Sequence, residues 1–362
     1  MVVKMKNTYS FGGIQQVGVG IPRLEEAWSF YAGAFGMEVS AFREAAPAPF
    51  MTRYTGGSVE SRDAALAINL AGGGGFEIWQ YTSRDPMPPA QEPSLGDFGI
   101  FATRIKSSQI TTAYAALKEA QGESLGGIQT APNGREHFYV KDPYGNLFDV
   151  VYADEGEFFS STKSVSGGVE GVLIGVSDMA RALEFYQALL GFDQVVYDRS
   201  GSFEDLAPLP GGDRGCRRVL LERSEAAQGW FSELFAPNRI ELISTTEYAG
   251  RRIFENRQWG DLGFIHLCFD VWGMEELKEA CASAGHPFTV DSNETFEMGE
   301  AGGRFSYIED PDGTLIEFVE THGITIQKKL GLTLNLAKRK EAKPLPRFML
   351  KMMGLNRFKP AE

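Results

Sequence analysis

The chain carries one sequence pattern twice, at positions about 155 residues apart. The segment IQQVGVGIPRLEEAWSFYAGAFGM begins at Ile14, and its counterpart VEGVLIGVSDMARALEFYQALLGF begins at Val169. In both copies a short apolar strand pattern precedes a helix pattern, and Phe30-Tyr31 holds the same place as Phe185-Tyr186. An internal repeat requires its copies to fold alike, so it constrains the architecture more than any single motif.

Each copy contains a second, related unit. FGIFATRIKSSQITTAYAALKEAQG corresponds to FIHLCFDVWGMEELKEACASAG, and KDPYGNLFDVVY corresponds to EDPDGTLIEFVE. Every unit begins with a strand, continues with a helix whose apolar residues recur at i, i+3, i+4 and i+7, and ends with further strands. In the first helix this stripe consists of Leu24, Ala27, Trp28, Tyr31 and Phe35. The DPxG tetrapeptides favour tight turns between strands. We therefore predict an α+β fold of two tandem domains, each built from paired βαβββ modules, with four modules in all.

The limits of the repeat predict the domain boundaries. Residues 10–153 contain modules one and two, residues 169–322 contain modules three and four, and residues 154–168 form the linker. Residues 323–362 lie beyond the repeat and contain ten Lys or Arg residues against Glu341 and Glu362. We expect this basic C-terminal tail to pack on the acidic body. The alternatives are a lid over a site or a weak contact with a membrane surface.

Composition restricts the partners. A length of 362 residues with 43% hydrophobic content suffices for two cores, and a net charge of −13 argues against nucleic acid. Three cysteines form no even framework and favour a reducing compartment, with buried packing as their role. No apolar run reaches the length of a membrane span, and no signal peptide is indicated. We predict a cytoplasmic protein that acts on a small molecule. It would be a monomer whose domains imitate a dimer, or a homodimer.

The strand-plus-FY-helix openings at residues 14–37 and 169–192, together with the two DPxG strand endings, resemble the vicinal oxygen chelate superfamily. This superfamily includes glyoxalase I, methylmalonyl-CoA epimerase, extradiol dioxygenases and bleomycin-resistance proteins. The resemblance covers about residues 10 to 322. It implies a glyoxalase/dioxygenase-like fold, which hosts many different reactions.

The same resemblance implies a metal site. In the superfamily, ligands lie on the first strand of each module and near the end of its last strand. The aligned positions in modules one to four are Gln16 and Glu77, Ile100 and Asp149, Gly171 and Glu241, and His266 and Glu317. Glyoxalase I builds each site from two modules in a crossed arrangement, which here pairs module one with four and module two with three. The first pairing gives a Gln/Glu/His/Glu set similar to that of glyoxalase I, and the second lacks two ligands. We predict one live and one degenerate site.

The predicted set suits one divalent ion, with Ni, Co, Zn, Mn and Fe as the candidates, because it combines two carboxylates, an amide oxygen and an imidazole. Such an ion polarises a carbonyl, and Glu317 or Glu77 would then move a proton as the catalytic base. The other histidines, His137, His286 and His322, fall outside the pattern, and we expect loop roles for them.

The substrate prediction follows from departures from glyoxalase I. Gly20, Tyr81 and Leu262 stand where the resemblance would place glutathione-binding arginine, asparagine and arginine, which argues against glutathione. Trp79 and Tyr81 follow a ligand on the same strand and predict the wall of an apolar or aromatic substrate pocket, although ordinary core packing is the equal alternative. Arg304 in GGRFSY either holds an anionic group or lies at the rim.

Three classes of function remain open. The first is a metal-dependent isomerase or lyase that removes a proton next to a carbonyl. The second is an Fe(II)-dependent ring-cleaving dioxygenase of extradiol or hydroquinone type, because Tyr307 lies where extradiol enzymes keep an active-site tyrosine. Against it, Tyr139 holds the same place in the degenerate set, and Gln16 replaces a second histidine. The third is a metal-free binding or resistance protein.

Overall fold

The computed structural model describes residues 9–119, 122–293, 296–298, 301–327, 332–336 and 342–359. Four modules follow one another along this chain, and each has the order strand, helix, then at least three strands. The elements of modules one and two are β1 (Ser10–Gly20), α1 (Leu24–Phe35), β2 (Val39–Pro47), β3 (Ser61–Ile68), β4 (Gly75–Tyr81), β5 (Gly99–Ser107), α2 (Ile110–Glu119), β6 (Glu123–Thr130), β7 (Glu136–Lys141) and β8 (Leu147–Tyr152).

The second half repeats this order and adds a C-terminal segment. Its elements are β9 (Val169–Gly175), α3 (Met179–Glu184), β10 (Gln194–Gly201), β11 (Cys216–Glu222), α4 (Ser232–Phe235), β12 (Arg239–Thr245), β13 (Gly263–Trp272), α5 (Met274–Ser283), β14 (Val290–Asp291), β15 (Phe296–Met298), β16 (Ala301–Glu309), β17 (Leu315–Gln327), β18 (Leu332–Asn335) and α6 (Arg347–Met352). A π-helical turn, Phe185–Leu189, continues α3. The predicted α+β fold with four βαβββ modules is confirmed.

Two sheets form, and each takes strands from both halves of the chain. The first, which we call the one–four sheet, has the order β14-β16-β17-β13-β1-β4-β3-β2, with β15 and β18 added at β16 and β17. The second, the two–three sheet, has the order β10-β11-β12-β9-β5-β8-β7-β6. Antiparallel pairing of β1 with β13 and of β5 with β9 joins the modules. The crossed pairing of modules is therefore present.

Two repeated motifs bind each other within each half. Tyr31, from the FY motif of α1, donates its hydroxyl proton to Asp142 of the first DPxG turn at 2.6 Å. Tyr186 donates in the same way to Asp310 of the second DPxG turn at 2.9 Å. Both aspartates are buried, and burial raises the pKa of each carboxyl. The glycine of the first turn, Gly145, has a φ of 86°, in the left-handed region where a side chain would be strained. The motifs thus connect neighbouring modules.

The cores follow the predicted periodicity. All five residues of the predicted stripe on α1 are buried, together with Ala34. A large apolar cluster contains residues from α1, α2, α3 and α5 and from strands of both sheets. The three cysteines are buried and free, as expected for packing residues.

The described part of the basic tail lies against the body. Strand β18 pairs with β17, and Leu345, Leu350 and Met353 are buried in a cluster with aromatic residues in and just before α4. Phe358 stacks on Trp28 with 4.3 Å between ring centroids. The tail prediction also covers residues 328–331, 337–341 and 360–362, which lie outside the described residues. Within the described ranges, no helix combines the length and apolar character that crossing a membrane requires.

Candidate functional site

The predicted ligands come from the four adjacent strands at the centre of the one–four sheet. Glu317 lies on β17, His266 on β13, Gln16 on β1 and Glu77 on β4, and these strands are consecutive neighbours. In the strand registers, Gly18 of β1 is opposite both His266 and Glu77. Pairing between the halves therefore brings residues about 300 positions apart in sequence onto one surface.

The four side chains contact one another. Nε2 of His266 lies 3.1 Å from Oε2 of Glu317 and 3.3 Å from Oε2 of Glu77. Nε2 of Gln16 donates to Oε2 of Glu317 at 3.3 Å. Glu77, His266 and Glu317 are buried, and they form a group of donor atoms that all lie within 4.8 Å of one another. Among the described residues, no other His, Cys, Asp and Glu cluster meets that spacing.

This arrangement fits a divalent cation. Oε1 of Gln16 and Nε2 of His266 are buried, and neither has a hydrogen-bond partner among the described residues. Buried polar atoms without partners are rare in native proteins. The carboxylate oxygens lie near Nε2 of His266 without forming a hydrogen bond with it. An amide oxygen, an imidazole nitrogen and two carboxylates converging in this way supply the donors that borderline divalent metals use.

His266 is held by its surroundings. Its side chain is fully buried, and the hydroxyl of Tyr307 lies 3.4 Å from Nδ1. A Cβ atom at Gly18 would lie 2.4 Å from Cε1 of the imidazole, so the ring occupies space that only glycine leaves open. Burial alone would lower the pKa of His266, but Glu317 and then Glu77 outweigh burial and raise it to about 10.

A cavity of about 130 Å³ adjoins this group. Gln16, Glu77, Glu317 and Tyr307 form part of its wall. Most of the remaining wall is apolar and comes from four regions of the chain: module one, module four, α4 and the C-terminal segment. The ligand set is therefore accessible from a largely apolar pocket, as ligand sites commonly are.

The predicted substrate-binding residues fall into different positions. Trp79 and Tyr307 are buried and line the cavity. Tyr81 is not among the lining residues, and its hydroxyl donates to the backbone oxygen of Trp259. Arg304 lines the cavity, but its guanidinium binds both oxygens of Asp291 at 2.9 and 2.8 Å. Arg304 is therefore engaged by an internal carboxylate.

Several wall residues were missed by the sequence reasoning. Trp259 comes from the loop before β13, and its ring packs edge-on against that of Trp79 at 4.6 Å between centroids. Phe231 and Phe235 come from the region of α4, and Met353 follows α6. None of these residues belongs to the repeated pattern, so their place in the cavity wall follows only from the tertiary structure.

The equivalent positions of the two–three sheet hold a different structure. Nε of Arg104 lies 3.1 Å from Asp149, and its Nη1 lies 3.4 Å from Glu241. Nε of Arg218 binds Glu241 at 2.6 Å, and its Nη1 binds Asp205 at 2.6 Å. Guanidinium groups thus neutralise the carboxylates at the aligned positions.

The loop role expected for His137 is wrong. His137 lies on β7, is fully buried, and its Nδ1 is 2.7 Å from Oδ1 of Asp149. Burial alone would lower the pKa of His137, but Asp149 and Asp205 raise it to about 9. The aligned ligand positions do not include β7, so the alignment gave no indication that His137 would pair with Asp149. His322 also lies on a strand, β17, whereas His286 lies between α5 and β14.

Comparison with known proteins identifies the family. The model of the Glyoxalase/Bleomycin resistance protein/Dioxygenase superfamily matches residues 13–150 and 168–318. The fold is similar to that of glyoxalase I from Zea mays, at 13% identity and a TM-score of 0.51, covering 85% of this chain and 92% of that one. It is also similar to a candidate dioxygenase from Bacillus subtilis, at 13% identity and a TM-score of 0.55, covering 86% of each chain. No curated protein sequence gave a significant match. Since the family model spans most of both halves, the chain belongs to the Glyoxalase/Bleomycin resistance protein/Dioxygenase superfamily.

Proposed function

We propose that this protein is a divalent-metal-dependent isomerase or lyase that removes a proton next to a carbonyl group. The convergence of His266, Glu77 and Glu317 beside a mainly apolar cavity supports this proposal. Gln16 completes the set through the oxygen that has no partner among the described residues. The two–three sheet, where guanidinium groups take the cation's place, would be inactive.

The chemistry divides between metal and protein. When bound, a divalent ion would supply Lewis-acid polarisation of the substrate carbonyl. Glu317 would accept the substrate proton, because its carboxylate faces the cavity and is positioned by the amide of Gln16. Glu77 lines the same cavity and is the alternative base. The apolar wall would exclude water, which strengthens electrostatic interactions inside the site.

Glu317→Gln separates the two roles of this carboxylate. The amide can still coordinate a metal through oxygen but cannot accept a proton at neutral pH. We expect the variant to retain part of its metal and to lose turnover by on the order of 100- to 10,000-fold, as loss of a general base typically does. The measurement is deuterium incorporation at the carbon next to the carbonyl, followed by NMR in deuterium oxide on a panel of small aryl and alicyclic ketones.

Glu77→Gln serves as the matched control, because it replaces the other carboxylate of the same cavity. A larger loss of exchange in Glu77→Gln would transfer the base role to that residue. Turnover with one oxygen molecule consumed per substrate, and without exchange at the carbon next to the carbonyl, would reject the proton-transfer proposal.

A ring-cleaving dioxygenase is the second candidate, and Tyr307 is the observation that favours it. This tyrosine is buried at the cavity wall, and its hydroxyl is 3.4 Å from Nδ1 of His266. The donor set contains one histidine, whereas non-haem iron oxygenases commonly use two with one carboxylate. Iron content together with oxygen uptake on catechols and hydroquinones would select this function. Purified protein that takes up no metal would select a binding protein instead.

A further inference from the structure

The two guanidinium groups that the described residues contribute to the cavity wall already have carboxylate partners. Arg304 binds Asp291 through two nitrogens, and a third nitrogen binds Glu275 at 2.5 Å. Arg62 binds Glu44 at 2.7 Å and the backbone oxygen of Ala46 at 3.1 Å. The wall also contains the carboxylates of Glu77 and Glu317, which would balance the charge of one divalent ion. Among the described wall residues, an anionic substrate would therefore find no unpaired guanidinium, which is unfavourable in a desolvated site.

Two tryptophans of the cavity wall carry buried indole N–H donors. Trp79 is fully buried and Trp259 is 7% exposed. Nε1 of each has no hydrogen-bond partner among the described residues. A Cβ at Gly260 would lie 2.3 Å from Cζ3 of Trp79, so Gly260 packs directly against the six-membered ring of this indole. The two rings contact each other, but an aromatic face is only a weak acceptor for N–H.

The cavity has room for a ring-sized group. The cavity volume of about 130 Å³ is close to the roughly 150 Å³ of an apolar cavity that accommodates benzene. Phe42, Leu66, Phe235 and Met353 contribute apolar wall atoms. Such a wall stabilises a ring-sized hydrocarbon body through burial of apolar surface.

From these observations we propose that the substrate is a neutral aromatic or alicyclic carbonyl compound, and that Trp79 and Trp259 select it by donating indole hydrogen bonds to an acceptor oxygen. This inference rests on the proposed function, since it names the substrate class and two specificity-determining residues of the same site. Neutral charge follows from the engaged guanidinium groups, the ring-sized body from the apolar wall, and the acceptor oxygen from the two indole donors that have no partner among the described residues.

Three probes of similar size test the three parts of the proposal. Acetophenone is a neutral aryl ketone, ethylbenzene lacks its oxygen, and benzoate carries a negative charge. The chain contains five tryptophans, so protein labelled with 15N at the indoles gives five N–H resonances. We expect acetophenone to move the resonances of Trp79 and Trp259 downfield. We expect ethylbenzene to bind without that displacement and benzoate to bind at least tenfold more weakly than acetophenone.

Variants assign and quantify the effect. Trp79→Phe and Trp259→Phe should each weaken acetophenone binding by about threefold to tenfold, the range expected for one neutral hydrogen bond, and change ethylbenzene binding by less than about twofold. Trp230→Phe is the matched control, because Nε1 of Trp230 also has no partner among the described residues but Trp230 is outside the cavity wall. Unchanged resonances of Trp28 and Trp272 would verify that each variant is folded.

The titrations are done with metal-free and metal-loaded protein, and metal content is measured separately. If acetophenone shifts the indole resonances of Trp79 and Trp259 in a protein that takes up no metal, the inference is supported and the proposed function is rejected. In a protein that takes up metal, three results would overturn the inference. These are equal shifts of the indole resonances by acetophenone and ethylbenzene, tighter binding of benzoate than of acetophenone, or no acetophenone binding at millimolar concentration. In those cases the proposed function would stand.

Discussion

At the scale of single residues, Gly18 controls where the imidazole of His266 can lie. Gly18 lies on β1 and is opposite His266 of β13 and Glu77 of β4 in the strand registers. A side chain there would overlap the imidazole, because a Cβ would lie 2.4 Å from Cε1. A glycine that binds nothing itself is thus a positioning residue for a proposed ligand.

Gly18→Ala should therefore reduce metal affinity while leaving all four donors in the sequence. We expect a loss of roughly 10- to 100-fold, the effect typical of residues that support a ligand from behind, and a smaller loss than in His266→Ala. Competition with a chelator measures the affinity. Gly33→Ala is the control, since a Cβ there meets nothing within 4 Å and the position lies within α1. Unchanged metal affinity in Gly18→Ala would contradict this role.

At the scale of elements, the one–four sheet and the two–three sheet differ in what neutralises the carboxylates on their four central strands. In the two–three sheet, Arg218 from β11 is fully buried and joins Glu241 to Asp205. Its sequence neighbour Arg217 points to the other face of the strand and pairs with Asp198, with both side chains about 40% exposed. Removing a buried cation leaves uncompensated buried charge, whereas exposed ion pairs contribute little.

Arg218→Met and Arg217→Met form a matched pair for this contrast. We expect Arg218→Met to lower the free energy of unfolding by about 3–5 kcal/mol, because Glu241 and Asp205 each lose their nearest cation. Arg217→Met should lower it by less than about 1 kcal/mol. Denaturant titrations of both variants measure the difference, and metal content should be unchanged in the folded fraction. Equal effects would show that the buried cluster does not stabilise the fold.

The same cluster predicts a pH dependence. The pKa of His137 is raised from 6.5 to about 9 in the folded protein by Asp149 and Asp205, which outweigh burial. The folded state therefore holds this proton more tightly than the unfolded state. The stabilisation is fully present below about pH 6.5 and is lost as the pH rises through about 9. Thermal unfolding from pH 6 to 9.5 should show this decline in the wild type and a smaller one in His137→Gln. Parallel curves would contradict the assignment.

At the scale of the whole molecule, neither half of the chain contains the proposed metal site. Gln16 and Glu77 come from the first half, whereas His266 and Glu317 come from the second. Each central strand pair, β1 with β13 and β5 with β9, also joins the two halves. The sequence repeat is therefore not the unit that forms the sheet.

Separating the halves tests this dependence. Residues 1–160 and residues 161–362, expressed alone, should each bind less than about a tenth of the metal bound by the intact chain, since each supplies only two donors. Combined in equal amounts and purified together, they should regain metal. Elemental analysis after size-exclusion chromatography gives the ratio. A single half with full metal content would reject the crossed site.

The sequence by itself determined the local structure and the candidates for the site. The α1 stripe, the DPxG turns and the four modules follow from periodicity and turn chemistry, which depend on residues close together in the chain. The set of Gln16, Glu77, His266 and Glu317 followed from aligning the repeats to a known family, and their roles as ligands stay predictions. Even so, the alignment gave no information about residues outside the repeated positions.

Only the tertiary structure decided what surrounds those candidates. It placed Trp259 and Met353 at the cavity, engaged Arg304 with Asp291, and brought Arg218 to Glu241 in the second sheet. The physical reason is that burial, charge compensation and hydrogen-bond satisfaction depend on which distant residues meet. In the sequence, an arginine that binds a substrate cannot be distinguished from an arginine that is paired with a carboxylate of the same protein.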